Sequence, residues 1–134
     1  MRVIGFINGC FDVLHIGHIR MFEFAKNQCD ILIIGIDSDA RVKNLKGNLR
    51  PLNNQLDRME FLLSLKHVDE VRIFSSEQGL IDLIKAISPD IMIVGSDYKD
   101  KKVIGSNYAK KLIFFERIEG YSTSKIIEGS CDRG

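Results

Sequence analysis

The stretch that decides the fold reads Val3-Ile4-Gly5-Phe6-Ile7-Asn8-Gly9-Cys10-Phe11-Asp12-Val13-Leu14-His15-Ile16-Gly17-His18. Its first five residues are almost continuously apolar, which suits a strand buried on both faces rather than one with a wet side. A polar, glycine-containing loop follows. Then Ile19, Phe22, Ala25 and Cys29 recur at helical spacing. Strand, polar turn and helix, in that order, form the start of a right-handed crossover.

The same rhythm repeats along the chain. Ile31 to Ile36, Glu70 to Phe74, Ile91 to Val94 and Leu112 to Phe115 read as four further strands. Leu52, Leu56, Met59 and Leu63 form a second helical pattern, and Leu80, Leu83, Ile84 and Ile87 a third, which Pro89 helps to stop. Strands alternating with helices predict an α/β fold, a Rossmann-like, doubly wound sheet of five parallel strands. In such a sheet ligands bind beyond the carboxyl ends of the strands. The polar loops Asn8 to Gly17, Asp37 to Asn53, Gly95 to Ser106 and Glu116 to Ser124 all follow strands, so they share that edge. Neither repeats nor low-complexity segments divide the 134 residues. One domain over residues 1–129 and a short tail over 130–134 are expected.

Bulk properties narrow the function. The formal net charge is +1, without the basic stripe of a nucleic-acid binder, so no nucleic-acid partner is expected. Cys10, Cys29 and Cys131 are an odd set with no CxxC pair, which argues against a disulfide framework or a zinc site. The apolar run near the start is about five residues, shorter than the roughly seven of a secretory signal. No segment approaches the roughly 18 apolar residues of a membrane span. A cytoplasmic protein without a membrane partner is expected.

The first loop carries the chemistry. His15 and His18 are three residues apart, so at the start of a helix they share a face. A helix N-terminus offers free N–H groups and a positive dipole end that attract phosphate. Two imidazoles there can donate hydrogen bonds to a phosphate under attack. Gly17 leaves room for a bulky ligand, and Gly9 lets the turn approach it. A lone histidine at a helix start would be ordinary; the whole string is not. Gly9-Cys10-Phe11-Asp12-Val13-Leu14-His15-Ile16-Gly17-His18 resembles the HxGH motif of the cytidylyltransferase-like nucleotidyltransferase superfamily. The resemblance implies direct attack of a substrate phosphate on the α-phosphorus of a nucleoside triphosphate. It also implies Mg²⁺ bound through the nucleotide phosphates and no covalent enzyme intermediate.

A second motif lies near the end, Arg117-Ile118-Glu119-Gly120-Tyr121-Ser122-Thr123-Ser124. Its hydroxyls can cap a helix whose N–H groups face a phosphate, and Arg117 adds a planar cation. It resembles the Arg-x-Glu-Gly-x-Ser-Thr-Thr motif of the same superfamily, with Ser124 keeping the hydroxyl of the second threonine. His15, His18, Lys46 and Arg117 are therefore the expected catalytic residues. Asn8, Gly9, Cys10, Phe11, Gly17, Arg58, Gly95, Asp97, Tyr121, Ser122 and Thr123 are the expected nucleotide-binding set. Lys43 and Lys46 read as parts of a flap that closes on the triphosphate. Lys43 joins Asp12 and Asp37 as expected substrate contacts. Asp12 is also placed to orient the loop or a metal-bound water, and Asp37 and Asp39 to face substrate or to cap a turn. Cys29 reads as core.

Two subfamilies compete for the substrate. Leu45 to Asn53 with Arg58-Met59, and Gly95-Ser96-Asp97-Tyr98-Lys99 with Ile104-Gly105-Ser106, look like the adenylyltransferase that makes ADP-heptose from heptose 1-phosphate. The Arg117-Ile118-Glu119-Gly120 form looks instead like glycerol-3-phosphate cytidylyltransferase. The partners implied are thus ATP or CTP and a small phosphorylated sugar or polyol, and the resemblance implies a homodimer.

Overall fold

The computed structural model describes residues 2–96 and 101–116. The apolar runs form β1 (Ile4–Gly9), β2 (Ile31–Asp37), β3 (Glu70–Phe74), β4 (Ile91–Gly95) and β5 (Lys111–Phe115). They make one sheet in the order β3-β2-β1-β4-β5, and every pairing is parallel. Register runs from Ile4 opposite Ile31 to Gly9 opposite Ile36. Strands β2 and β3 continue to one side of β1 and β4 and β5 to the other. The order therefore reverses between β1 and β4, where the crevice of a doubly wound sheet opens.

Alternating residues of the central strands enter opposite cores, which is why their runs are continuously apolar. On one face Ile7, Leu32, Ile34, Ile36 and Ile93 pack with Phe22 and Ala25 of α1 (Ile16–Asn27) and Leu62 of α3 (Gln55–Leu63). On the other, Phe6, Ile33, Phe74 and Met92 pack with Leu80 and Ile84 of α4 (Glu77–Ile87). Full burial of each of the larger of these side chains stabilises by about 1.5–3 kcal/mol. The segment over 103–112 closes this second core through Val103, Ile104 and Leu112. Its turn needs Gly105: φ is +80°, and a Cβ there would meet Ile84 Cδ1 at 2.5 Å.

At the amino edge of the sheet, three aspartates just before strands tie down their neighbours. Asp30 accepts the N–H of Val3 at 2.7 Å, Asp69 that of Leu32 at 2.8 Å and Asp90 that of Ile4 at 2.8 Å. Lys26 pairs with Asp69 at 2.6 Å and Lys110 with Asp90 at 3.0 Å. Burial pushes the Asp69 carboxyl up, but the bonds from Lys26 and Leu32 outweigh it and hold the group below its ordinary value. The Ile4 N–H, then Lys110, hold Asp90 down in the same way.

Two expectations need correction. The segment Asp37 to Asn53, read as one long loop, contains α2 (Asp39–Lys46), capped by Ser38, whose hydroxyl accepts the N–H of Arg41 at 3.2 Å. Only Val42 of this charged helix is buried, so there was little apolar periodicity to read. The repeat Leu52, Leu56, Met59, Leu63 is helical over Gln55–Leu63, but it does not mark the inward face. Leu52, Leu56 and Leu63 are exposed, while Arg58 and Leu62 are the buried positions of α3. Arg58 holds an interior position that an apolar pattern cannot mark.

Candidate active site

The β1–α1 loop is shaped by its own side chains. Phe11 adopts the left-handed conformation, φ 50°, and its buried ring meets His18 edge-on at 5.2 Å and Phe22 at 5.3 Å between centroids. A Cβ on Gly9 would stand 2.9 Å from Phe11 Cζ. The glycine is thus needed to admit the phenylalanine ring, besides any approach of a ligand to the turn.

His15 is the N-cap of α1 and His18 its third residue, and together they form a capping box made of imidazoles. His15 Nδ1 accepts the N–H of Gly17 at 3.0 Å, and His18 Nδ1 accepts that of His15 at 3.2 Å. The rings stack with centroids 3.9 Å apart. An imidazole that accepts at Nδ1 carries its proton, when neutral, on Nε2. Both rings are thereby fixed as Nε2–H donors at the positive end of a helix, an arrangement matched to phosphate oxygens.

A cavity of about 330 Å³ opens at the carboxyl ends of β1, β2 and β4, a volume within the range of small-ligand sites. It brings together six of the expected residues: Asn8, Gly9, Cys10, Asp37, Lys46 and Gly95. Lys46 ends α2, so the expected flap lysine stands on a helix rather than a loop. Lys43 is exposed on the same helix and does not line the cavity. Burial pushes the Cys10 thiol up, against the pull of Lys46 and Arg58. A neutral thiol fits a lining role and not a nucleophile. Arg41 and Lys102 also line the cavity, and sequence reasoning missed both. The signal for Arg41 was its i, i+4 spacing from Asp37 behind a serine cap.

Asp12 takes the loop-orienting one of its expected roles, whereas Arg58 is turned into the protein and does not line the cavity. Asp12 is buried, its carboxylate accepting the N–H groups of Leu52 and Asn53, each at 2.8 Å, and Nε–H of Arg50 at 3.2 Å. Asn53 in turn donates its side-chain amide to the Asp12 carbonyl at 2.6 Å. Arg58, 1% exposed, donates to the carbonyls of Asn53, Cys10 and Asp37 at 3.0, 3.0 and 2.8 Å and to Asp39 Oδ1 at 2.8 Å. These two groups knit the β1–α1 loop, the end of β2 and the α2–α3 loop into one unit. Their polar atoms are used within the protein, so they hold the cavity wall in place. Asp97, Arg117, Tyr121, Ser122 and Thr123 lie outside the described residues. Among the described residues no helix is long and apolar enough to cross a membrane.

The chain resembles known proteins over most of its length. The bifunctional protein HldE of a Nitratiruptor species is 50% identical over 125 residues, 93% of this chain and 27% of that protein. Its namesake in Campylobacter jejuni is 48% identical over 132 residues, 98% of this chain and 28% of that protein. The chain therefore spans 27–28% of the length of these relatives. Among solved structures, the lipopolysaccharide core biosynthesis protein from Thermoplasma volcanium superposes with a TM-score of 0.72 at 22% identity, covering 89% of this chain and 100% of that one. Pantoate-beta-alanine ligase from Francisella tularensis gives 0.61 at 17% identity, covering 94% of this chain and 68% of that one. At such identities these two likenesses speak to the fold alone. The cytidylyltransferase-like family matches residues 6–129, and the chain belongs to that family.

Proposed function

We propose that this chain transfers AMP from ATP to a sugar 1-phosphate such as heptose 1-phosphate and releases pyrophosphate. The observation that carries the reading is the pair of stacked imidazoles, each tied at Nδ1 to the backbone, at the N-terminus of α1 behind the cavity-lining loop. Support for the sugar comes from the resemblance of Leu45 to Asn53 and of Gly95 to Lys99, and from relatives named as the bifunctional protein HldE.

In this reading a phosphate oxygen of the acceptor attacks the α-phosphorus. The bond from that phosphorus to the oxygen bridging to the β-phosphate breaks, and pyrophosphate carries away the electron pair. His15 and His18 donate Nε2–H bonds to the crowded α-phosphate. Such fixed donors act where charge develops and need no reorganisation. Lys46, with Arg117 and the N–H groups near Ser122 and Thr123, binds the outer phosphates. The acceptor phosphate is already an anionic nucleophile, so catalysis rests on positioning and charge neutralisation. Among the described residues no group of three or more His, Cys, Asp or Glu could hold a metal ion. In this reading Mg²⁺ would be bound through the nucleotide phosphates and would keep several waters. When bound, it offsets charge on the departing pyrophosphate. The homodimer and the 1–129 domain boundary belong to this proposal as well.

The test is pyrophosphate release in Mg²⁺, crossing ATP, CTP, GTP and UTP with heptose 1-phosphate and glycerol 3-phosphate. Turnover restricted to ATP with the heptose is expected. Turnover restricted to CTP with glycerol 3-phosphate would replace this reading with the one that the Arg117-Ile118-Glu119-Gly120 form favours.

A further inference from the structure

The cavity wall at the end of β2 holds a charge pair that the transfer chemistry leaves unused. Arg41 Nε donates to Asp37 Oδ1 at 2.7 Å, and the two side chains are 19% and 15% exposed. The Arg41 guanidinium lies over the Phe74 ring, 5.7 Å from its centroid. Both charged residues line the cavity. Among the described residues the second oxygen of Asp37 accepts no hydrogen bond, and the terminal nitrogens of Arg41 donate none.

We infer that Asp37 and Arg41 read a vicinal diol, a specificity element that rests on the sugar-and-nucleotide reading above. A phosphate is a poor occupant, because the Asp37 carboxylate is held beside the guanidinium and repels an anion. Two neighbouring hydroxyls match the pair: one donates to the free carboxylate oxygen, and the other accepts from a terminal guanidinium nitrogen. The ion pair and the ring face restrict Arg41, so little side-chain freedom is lost when the diol arrives. Lys46 and Lys102, which also line the cavity, are left for phosphate. Two sources of the diol meet this chemistry, the ribose of the nucleotide and the ring of the acceptor sugar.

Equilibrium titration separates them without requiring turnover. ATP, 2′-deoxy-ATP, heptose 1-phosphate and its 2-, 3- and 4-deoxy analogues are titrated into the wild type, Asp37→Asn, Arg41→Met and Arg41→Lys. The lysine keeps the charge and the stem over Phe74, and a melting curve checks the fold of each variant. Each variant is expected to lose affinity about tenfold for one diol-bearing ligand, the size of a charge-assisted hydrogen bond. The loss should vanish for the analogue lacking a hydroxyl of that diol. Loss confined to ATP assigns the ribose, and loss confined to the heptose phosphate assigns the acceptor. Affinities all within twofold of wild type, or equal losses for intact and deoxy ligands, would overturn the assignment. A wild type that shows the diol pattern yet releases no pyrophosphate would remove the transfer reading and leave the diol site standing.

Discussion

Replacing Arg58 with methionine separates a structural arginine from a ligand contact. The guanidinium makes four hydrogen bonds, three to backbone carbonyls and one to Asp39. Methionine fills most of the space and donates none of them. Asp39 is 33% exposed, so water can take its place there at small cost. The carbonyls of Asn53, Cys10 and Asp37 have less access to water, and each is expected to cost about 1 kcal/mol or more when left unpaired. Their sum approaches the roughly 3–5 kcal/mol lost when one partner of a buried charged network is removed. Apolar burial of the methionine returns part of it, so the net expectation is about 3 kcal/mol and a melting point lower by about 10 °C. Urea denaturation measures the stability, and titration with ATP at a temperature where the variant stays folded measures the site. The reasoning is refuted by a stability loss below about 1 kcal/mol, the range of an ordinary surface change, combined with a large loss of ATP affinity. That pair of results would make Arg58 a nucleotide contact.

Other consequences follow from the same geometry. His18→Ala is expected to lower kcat by roughly 10²-fold, as removal of an oxyanion-type donor does; near-normal turnover would end its catalytic assignment. Asp12→Asn places an amide N–H against N–H donors now shared by two oxygens, and chemical denaturation should show a loss of about 2 kcal/mol. Gly9→Ala sets a Cβ 2.9 Å from the Phe11 ring, so the ring must shift; stability should fall by about 1–3 kcal/mol, with His18 displaced. Asp69 and Asp90 are held below the ordinary carboxylate value of 3.8. Their contribution is therefore complete above that value and lost as pH falls through the lower folded values. Acid unfolding of the Asp69→Asn/Asp90→Asn variant should depend less on pH below about 4 than that of the wild type.

Much of the fold was legible because the sheet is covered on both faces. Phe6 and Ile7 are adjacent in sequence and buried in opposite cores, and only such strands give unbroken apolar runs. The pairing of the histidines was legible because residues three apart at a helix start share a face; their capping role was not. Helix α2 was not, since its inward contact is the single residue Val42. The structural role of Arg58 was hidden for a different reason. A charged residue near a phosphate motif looks like a ligand contact until its partners are known, and those partners are mostly backbone groups distant in sequence. Arg41 escaped notice because a helix that was read as a loop offers no i, i+4 pairs.

The central claim is that the bond broken lies at the α-phosphorus. Wild-type protein, Mg²⁺ and heptose 1-phosphate are incubated with ATP labelled with radioactive phosphorus at either the α or the γ position, and the products are separated. The α-label is expected in the sugar nucleotide and the γ-label in pyrophosphate. A γ-label appearing on the sugar product would mean phosphoryl transfer instead and would contradict the account.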